Sequence, residues 1–426
     1  FVMKEDFLHY VWQHQLFSNL KLISTDGQEV VVSSVGTPNE QSGPDFFNAK
    51  ITIADVLWAG NVEIHVKSSD WYLHEHEKDE NYDSVILHVI WEDDVAIYDI
   101  NNQQISTLVL KNIVPQHIIE NYNQLMLKKK RWIPCENVIS DVDNFVLSNW
   151  KAQLYFERLE QTTMLVNDLL LKSNNDYEAV LFSLLMKNFG LKTNGDAFLK
   201  LASLIDFSIL RKERYDALKL NALLYGQAGF LKNHIEDAYF LKLKSEYKYL
   251  KYKYQLKEVN GVCFQFFKMR PNNFPTVRIA QIVALYHQQE SLFSKLMSIT
   301  KIEDYYKLFA VKLNKFWDTH YTFQKASPKR VKKITKSFVD LLVINTIIPI
   351  KFNYYKSIYK EIDEDFFNVI RDLCPEKNGI ISKFKDLGIL SKNAFDTQAL
   401  LQLKNNYCAK KRCLQCAIGN NLLKRT

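Results

Sequence analysis

The sequence predicts an α+β domain, made of one helix and a mixed sheet of about five strands, followed by a large all-α region. Three observations lead to this fold class. Apolar residues at helical spacing open the chain over 3–18, short β-branched segments follow to about residue 110, and helical spacing returns from Pro115 almost to the end. With 426 residues, the chain exceeds the size of one ordinary domain.

The α+β domain is expected over residues 1–125. Its opening segment places Phe7, Tyr10 and Val11 on one face, because residues three and four apart are neighbours on a helix. Five segments rich in β-branched residues and bounded by Gly, Asn or Asp then predict short strands. These segments are 29–35, 47–58, 61–67, 84–91 and 95–110.

A basic linker is predicted at 126–145, around the basic run from Lys128 to Arg131. Beyond it we expect an all-α domain over 146–426, because apolar residues recur three or four positions apart. The predicted helical segments are 146–172, 177–189, 196–205, 208–226, 234–257, 276–299, 302–316, 328–346, 354–361, 364–373 and 396–405.

Charge divides the chain into two parts of opposite sign. Residues 1–100 contain 5 Lys and Arg against 18 Asp and Glu, a net charge of −13, and the remainder contains 50 against 30, a net charge of +20. A basic region beside an acidic one suits a protein that holds a polyanion and presents it to cations. Nucleic acid is therefore a candidate partner, with Lys128 and Lys129 as candidate contacts. Lysines that only solvate helix surfaces are the alternative.

Composition also excludes several classes. No segment reaches the length of about 18 apolar residues that a transmembrane helix needs. Acids and histidines interrupt the apolar positions of the first segment, unlike those of a signal peptide. We therefore expect a soluble, cytoplasmic protein without a membrane partner. With 12 glycines and no glycine-rich phosphate loop, an ATP-driven motor is not expected.

The most specific local pattern is a Gly-Pro-Asp sequence ending at Asp45, with Glu63 following 18 residues later on a predicted strand. The two-residue period of a strand puts Glu63, His65 and Lys67 on one face. Carboxylates on adjacent strands can share Mg²⁺ or Mn²⁺, which activates water and stabilises charge on a phosphate. Asp45 and Glu63 are therefore candidate metal ligands, and Lys67 or His65 is the candidate for positioning the attacking water.

At these residues the sequence resembles the PD-(D/E)XK nuclease superfamily, in which Pro-Asp enters one strand and acid-x-Lys lies on the next. The resemblance implies a restriction-endonuclease-like fold, with Asp45, Glu63 and the Ile64 carbonyl as metal ligands. The lysine position falls on His65, and Lys67 lies about 6.6 Å farther along the strand. The resemblance implies a Mg²⁺- or Mn²⁺-dependent nuclease acting on DNA or RNA. Because the lysine is missing, a catalytically inactive, nuclease-derived binding or scaffold protein is the alternative, and whether the chain is an enzyme stays open.

Four of the ten histidines lie within 24 positions, at His65, His74, His76 and His88. Imidazole and carboxylate together suit Zn²⁺ or Mn²⁺, and a histidine can act as a general base. If the histidines meet the two carboxylates, the reaction class stays metal-assisted hydrolysis, and a zinc hydrolase of small substrates is a third hypothesis. The alternatives are polar-loop positions for His74 and His76 and a core position for His88.

Several longer stretches are also distinctive. They are Gly43–Phe46, Gly60–His65, Asp70 with Trp71, His74 with His76, Tyr82–Trp91, Arg270–Pro275 and Arg278–Gln281. Together with the cysteine-bearing tail, they resemble an uncharacterised bacterial family, the domain of unknown function 2851. The resemblance covers most of the chain. Because the family has no established activity, the resemblance supports the predicted domain boundaries more than the predicted function.

Cys408, Cys413 and Cys416 lie in a basic segment with a spacing that suits Zn²⁺ or an iron–sulfur cluster. Cys135 is the candidate fourth ligand, and thiols without a metal are the alternative. The set is similar to nucleases of the same superfamily in which four cysteines hold a [4Fe–4S] cluster, although their remote cysteine precedes the acidic motif. The two remaining cysteines have apolar neighbours and are expected to be buried thiols: Cys263 and Cys374.

Arg270 and Arg278 flank a proline-interrupted turn and are candidate substrate-binding residues. Paired arginines can fork a phosphate or a carboxylate. Ion pairs that brace the acidic domain are the alternative role.

Overall fold

The computed structural model describes residues 3–17, 21–39, 41–126, 131–257 and 262–425. The chain divides into two compact units. The first unit takes the described residues of 1–150 with 386–389 and 403–425, and the second takes 151–385 and 390–402. The segment 403–425 thus belongs to the first unit, although the sequence-based division grouped it with the helices. The domain boundaries that the sequence predicts at residues 125 and 145 stay predictions.

The described part of the first unit contains a seven-stranded mixed sheet, preceded by helix α1, Glu5–Gln13. In chain order the strands are β1 Leu22–Ile23, β2 Glu29–Ser34, β3 Thr37–Pro38, β4 Phe46–Ile53, β5 Val56–Lys67, β6 Val85–Glu92 and β7 Thr107–Val109. Their order across the sheet is β1-β2-β4-β5-β6-β7, with β3 paired to β4. β2, β4 and β5 are antiparallel, whereas β6 is parallel to β5 and β7 to β6. A short helix, α2 Asp70–Leu73, lies between β5 and β6.

The strands differ from the sequence-based prediction at two places. The predicted strand 47–58 contains a turn at Ala54 and Asp55, whose φ angles are 47° and 66°. Neither residue is the Gly or Asn that marks a tight hairpin most strongly, so the continuous β-branched pattern concealed the turn. The predicted strand 95–110 contributes only β7, because turns occupy its middle, where Asn102 has a φ of 59°.

Helix α1 packs its apolar face near β5 and fixes the start of the chain on the sheet. The Trp12 indole N–H donates to the Val35 carbonyl at 3.1 Å. Phe7 is fully buried and stacks on Tyr122 of helix α3, Gln116–Met126, with ring centroids 4.2 Å apart. These contacts fix the position of α1, and therefore of its polar side chains, relative to the strands.

The second unit is helical, and its boundary with the first falls within helix α4, Asn144–Lys172. The following helices are α5 Tyr177–Phe189, α6 Leu191–Ser203, α7 Phe207–Glu213, α8 Ala217–Gln227, α9 Ala238–Lys253, α10 Pro275–Gln288, α11 Leu292–Ser298, α12 Ile302–Leu308, α13 Lys336–Leu342, α14 Ile348–Ser357, α15 Glu364–Asp372, α16 Gly379–Asp386 and α17 Ala394–Gln402. Helix α18, Ala417–Leu423, lies in the first unit. None of the helices in the described ranges combines the length and apolarity that a membrane crossing requires.

Some predicted helices are divided by caps that apolar spacing does not reveal. The predicted helix 208–226 consists of α7 and α8, which are separated at Asp216. The Asp216 carboxylate accepts the N–H groups of Leu218 and Lys219 at 2.9 and 3.2 Å and so begins a new helix. The apolar spacing continues across this break, which explains why the sequence predicted one helix.

Candidate metal centre

Asp45 and Glu63 lie side by side on two antiparallel strands. Phe46 of β4 pairs with Val62 of β5, and the residues next to them are Asp45 and Glu63. The Asp45 backbone N–H donates to Glu63 Oε2 at 3.1 Å, and the Ile64 N–H donates to Asp45 Oδ2 at 2.9 Å. Glu63 is 5% exposed, whereas Asp45 is half-buried. The structure therefore brings the two carboxylates that the sequence singled out to one location.

His65 extends this location along β5, two residues beyond Glu63 and on the same strand face. On the adjacent strand, His88 pairs with Glu63 in the sheet register. His88 Nε2 lies 2.8 Å from His65 Nδ1, and His65 Nε2 lies 3.1 Å from His74 Nδ1. His65 and His88 are buried. The His65 ring is therefore held through both of its nitrogens.

The connection between β5 and β6 brings two further histidines to this strand face. His74 directly follows helix α2, and the next residue, Glu75, adopts a left-handed conformation with a φ of 59°. This reversal lets His74 and His76, separated by one residue, approach the same place. His76 Nε2 lies 3.2 Å from Glu63 Oε1, and its ring stacks on Tyr82 with centroids 3.8 Å apart.

His65, His74 and His76 form a group that can hold one metal ion, because one ligand atom of each lies within 4.8 Å of the others. Glu63 Oε1 borders the group, 3.2 Å from His76 Nε2 and 3.5 Å from His65 Nε2. Zinc–nitrogen bonds of about 2.0 Å place neighbouring ligand atoms of a tetrahedral site about 3.3 Å apart. Three of the observed separations are close to this value: 3.1 Å between His65 Nε2 and His74 Nδ1, and the two distances to Glu63 Oε1. These four residues and Asp45 are called the histidine–carboxylate cluster below.

The electrostatics of the cluster favour a neutral imidazole at His65. Burial, followed by repulsion from His76 and His74, lowers the pKa of His65 to about 3. Burial also raises the pKa of Glu63, and Asp45 acts in the same direction while His76 opposes it. His76 Nε2 faces the Glu63 carboxylate, 3.2 Å from its Oε1. Neutral imidazole nitrogens with available lone pairs are the form that binds a metal.

Helix α1 contributes His9, which the sequence analysis did not select. His9 Nε2 lies 3.1 Å from Asp45 Oδ2. Burial acts to lower the pKa of His9, but the hydrogen bond and charge of Asp45, together with Glu5, raise it overall. Glu5 precedes His9 by one helical turn, and burial raises the pKa of its carboxyl group. The available signal was the spacing of Glu5 and His9, four positions apart and therefore neighbours on the surface of a helix.

Lys67, the predicted alternative to the missing lysine, lies at the exposed end of β5. Its backbone N–H donates to Asp70 Oδ2 at 2.9 Å, and in the sheet register it pairs with Glu92 of β6. In the described part of the chain, the ion-pair partners of Glu63 and Asp45 are histidines, not the Lys67 ammonium group. The structure does not bring Lys67 into the cluster, and a role in positioning water stays a prediction.

The predicted substrate-binding arginines lie in the second unit. Arg278 is 5% exposed and donates to Gln281 Oε1 at 2.8 Å and Asn273 Oδ1 at 2.7 Å. Its guanidinium lies 3.5 Å from the centroid of the Phe338 ring, and burial lowers its pKa to about 9. These contacts indicate a role in packing this region, whereas Arg270 is exposed. Substrate binding by either residue stays a prediction, and the remaining predicted contacts lie outside the described residues: Lys128 and Lys129.

The four cysteines predicted to hold a cofactor line one cavity in the first unit. They are Cys135, Cys408, Cys413 and Cys416. The expectation that Cys263 and Cys374 are buried is wrong, because both are exposed. Cys374 follows the end of α15 and precedes Pro375, and Cys263 lies in an irregular segment, so apolar neighbours in sequence do not cover either thiol.

A family model described as "Protein of unknown function (DUF2851)" matches residues 5–379. The matched range contains the whole histidine–carboxylate cluster, and of the four cavity cysteines it contains Cys135. No curated protein and no solved structure matches the chain.

Proposed function

The chain belongs to this family of unknown function, and from its histidine–carboxylate cluster we propose that it is a metal-dependent hydrolase of nucleic-acid phosphodiesters. The observation that carries the proposal is the spacing of His65, His74 and His76 beside the Glu63 carboxylate. Structural histidines rarely need to approach one another this closely, because protonation of one then opposes protonation of the next. A bound cation removes this repulsion.

The ligand types favour Zn²⁺ or Mn²⁺ over Mg²⁺. Mg²⁺ prefers oxygen ligands in an octahedral arrangement and keeps several waters. Imidazole nitrogens suit Zn²⁺ and Mn²⁺ better, and a site with three protein nitrogens and one carboxylate can retain a water when one ligand is displaced. Of the two expectations from the sequence, Mg²⁺ or Mn²⁺ at the carboxylates and Zn²⁺ or Mn²⁺ at the histidines, this proposal adopts the second.

Asp45 and His9 supply the acid–base chemistry in this proposal. A bound metal would act as a Lewis acid and lower the pKa of its water. Asp45 is half-buried next to Glu63, and in this proposal its carboxylate accepts a proton from that water. His9, 3.1 Å from Asp45, has a raised pKa and can hold positive charge toward a phosphate.

The strand arrangement supports a nuclease-like origin for the first unit. Helix α1, the five antiparallel strands β1 to β5, helix α2 and the parallel strand β6 follow one another in the chain. Asp45 enters one central strand, and Glu63 lies on the next. This order and these positions are the ones that the PD-(D/E)XK resemblance implies, so a restriction-endonuclease-like fold is part of the proposal.

A catalytically inactive, nuclease-derived binding protein is the second candidate. It is favoured by the buried His65 at the position where the superfamily has lysine and by the placement of Lys67 outside the cluster. The net charge of +20 beyond residue 100 supplies the attraction for a polyanion in either case. Binding without cleavage, with an affinity that falls steeply as salt rises, is the behaviour expected of this candidate.

The proposal is tested by cleavage and by metal binding in the same preparations. Purified protein is incubated with labelled single- and double-stranded DNA and RNA in Mn²⁺, Zn²⁺ or Mg²⁺. We expect cleavage with Mn²⁺ or Zn²⁺ that falls by about 100-fold or more in Glu63→Ala, because the carboxylate borders the metal. In His76→Ala, calorimetry should show metal affinity reduced by about tenfold or more, since one ligand is removed.

Glu80→Ala is the matched control, because Glu80 is an exposed acid in the same connection between β5 and β6. It should keep both activity and metal affinity. Cleavage that persists in Glu63→Ala and Asp45→Ala would remove the site from the proposal. Metal binding without cleavage of any of these substrates would favour the inactive candidate.

A further inference from the structure

A second cluster of metal-ligating side chains lies in the first unit, separate from the histidine–carboxylate cluster. Cys135 follows the Ile-Pro pair beyond α3, Cys408 ends a π-helical turn, Cys413 begins a 3-10 turn, and Cys416 immediately precedes α18. All four side chains line the same cavity. Cys135 and the three tail cysteines therefore line one cavity, although at least 273 positions separate Cys135 from the tail cysteines in the sequence.

The tail is folded tightly to bring its three cysteines together. Gly419 in α18 lies so close to Cys413 that a Cβ atom on this glycine would come within 2.0 Å of the Cys413 carbonyl oxygen. Only glycine permits this approach without moving the backbone. The rest of the cavity lining is mainly apolar, with Leu125, Leu403 and Ile418 among its residues. An enclosed apolar pocket with several thiols is a suitable environment for a sulfur-rich cofactor.

The separation of the sulfur atoms distinguishes between a single ion and a larger cluster. A tetrahedral zinc site with bonds of about 2.3 Å to sulfur needs its sulfur atoms about 3.8 Å apart. Among the residues that the structure describes, only the three histidines bring three ligand atoms within 4.8 Å of one another. No three of the four cysteine sulfurs therefore lie within 4.8 Å of one another, whereas one tetrahedral zinc ion requires all four at about 3.8 Å. A polynuclear cluster separates its thiolates in this way, because iron and sulfide atoms lie between them.

From this geometry we infer that Cys135, Cys408, Cys413 and Cys416 ligate an iron–sulfur cluster of the [4Fe–4S] class. The four ligands satisfy the four iron atoms without help from any other residue. The cluster joins the segment after α3 to the tail at 403–425, both of which belong to the first unit. Its role is to fasten this tail, and the inference does not depend on catalysis at the histidine–carboxylate cluster.

A basic side chain at the cavity agrees with this assignment. Arg412 lines the cavity together with the four cysteines. Its positive charge would offset part of the negative charge of a cluster ligated by thiolates.

The inference is tested first on the wild-type protein, purified without oxygen after expression with iron. We expect about four iron atoms and as many acid-labile sulfides per chain, with a broad absorbance near about 400 nm that bleaches on reduction. Stoichiometric zinc without iron would overturn the cluster assignment in favour of a single ion. Colourless protein that contains neither metal would overturn the site altogether.

Cysteine variants then locate the cluster. Cys135→Ser and Cys413→Ser should each lose most of the iron, whereas Cys263→Ser and Cys374→Ser should keep wild-type iron, since these two thiols are exposed and outside the cavity. Wild-type iron in Cys135→Ser and Cys413→Ser would contradict the inference.

Thiol alkylation of native wild-type protein provides a measurement that does not depend on the folding of a variant. Before iron is removed, Cys263 and Cys374 should be alkylated and the four cavity cysteines protected. After oxidation and chelation, mass spectrometry should show the cavity cysteines becoming reactive. Equal reactivity of the cavity cysteines with and without iron would contradict ligation. Because none of these readouts involves cleavage, failure here and failure of the proposed hydrolase are distinguishable.

Discussion

Glu63 and Glu213 are both buried, yet their surroundings act on their charge in opposite ways. For Glu63, burial is the largest influence and raises the pKa, and Asp45 adds to this effect. For Glu213, burial also acts to raise the pKa, but hydrogen bonds from Lys253 and Tyr254 outweigh it and lower the pKa overall. Glu63 is thus suited to binding a cation or a proton, whereas Glu213 is stabilised as a carboxylate by side chains at the end of α9.

The charge of Glu213 makes a prediction for the dependence of stability on pH. Glu213→Gln should lower the free energy of unfolding at pH 7 by about 1 kcal/mol, because a hydrogen bond from Lys253 at 2.7 Å loses its charged acceptor. The folded-state pKa lies below the ordinary value of 4.5, so the carboxylate stabilises the fold above pH 4.5. This stabilisation is lost as the pH falls through the folded-state pKa.

Urea unfolding at several pH values measures the effect. The difference between wild type and Glu213→Gln should be full at pH 7 and should shrink below pH 4.5. Glu236→Gln is the control, since Glu236 is exposed, and it should leave the unfolding free energy nearly unchanged. A difference that stays constant down to pH 3 would show that the charge of Glu213 is not the cause.

At the scale of elements, helices α8 and α9 illustrate contacts that depend on a single small residue. Both helices begin at an aspartate, Asp216 and Asp237, whose side chains accept backbone N–H groups. Gly226 of α8 is buried directly against the Tyr247 ring of α9, and Gln227 donates to the Tyr247 hydroxyl at 3.2 Å. The caps are visible in the sequence, whereas the close approach of the helices is not.

Gly226→Ala should therefore destabilise the protein, although alanine is the better helix former. The new Cβ atom would lie 2.0 Å from Cδ2 of Tyr247, so the ring or the helix must move. We expect a loss of about 1–3 kcal/mol in the free energy of unfolding. Gly379→Ala serves as the control, because nothing lies within 4 Å of its Cβ position, and it should be neutral or slightly stabilising. Equal stability of wild type and Gly226→Ala in urea titrations would contradict the close contact.

At the scale of the whole molecule, the first unit is assembled from chain segments that are far apart in sequence. The Asn121 side chain of α3 donates to the carbonyls of Leu423 and Arg425, at 3.2 and 2.9 Å. The Lys404 ammonium donates to the Trp132 carbonyl at 2.6 Å. The two bonds from Asn121 satisfy carbonyl groups at the end of α18, and all three bonds hold the tail on the rest of the first unit independently of any cofactor.

Asn121→Ala should loosen this tail. Two hydrogen bonds across about 300 residues of sequence are lost, so we expect the free energy of unfolding to fall by about 1–2 kcal/mol. Hydrogen exchange should become faster in α18 in particular. Asn123→Ala is the control two residues away, because Asn123 Oδ1 has no hydrogen-bond partner in the described part of the chain. Unchanged exchange in α18 of Asn121→Ala would show that these bonds do not hold the tail.

Local patterns predicted much of the fold. The opening helix, most of the strands and the long helices were predicted from periodicity, because the spacing that places side chains on one face lies within a few residues. The spacing of apolar residues was less informative about where one helix or strand ends and the next begins. The turn at Ala54 and Asp55 and the cap at Asp216 divide segments whose apolar spacing continues without interruption.

The candidate site was predicted in part. Asp45 and Glu63 were found because a Gly-Pro-Asp sequence and an acid on a β-branched strand are recognisable along the chain, and the structure places them together. His9 was missed because its partner, Asp45, is 36 residues away in sequence. Lys67 lies on the predicted strand, but at its exposed end, where the spacing of the strand alone does not indicate what a side chain contacts.

The sequence by itself determined the order of helices and strands, the opposite charges of the two parts of the chain and the presence of metal-ligating residues in two places. The tertiary structure decided which of those residues meet. Strand register put Glu63 beside His88, and the reversal at Glu75 brought His74 and His76 to the same strand face. The tail that carries Cys413 was returned to the first unit. Bringing these residues together requires contacts between segments that are distant in sequence. The free energy of such contacts comes from the packing of the whole unit and not from local spacing along the chain.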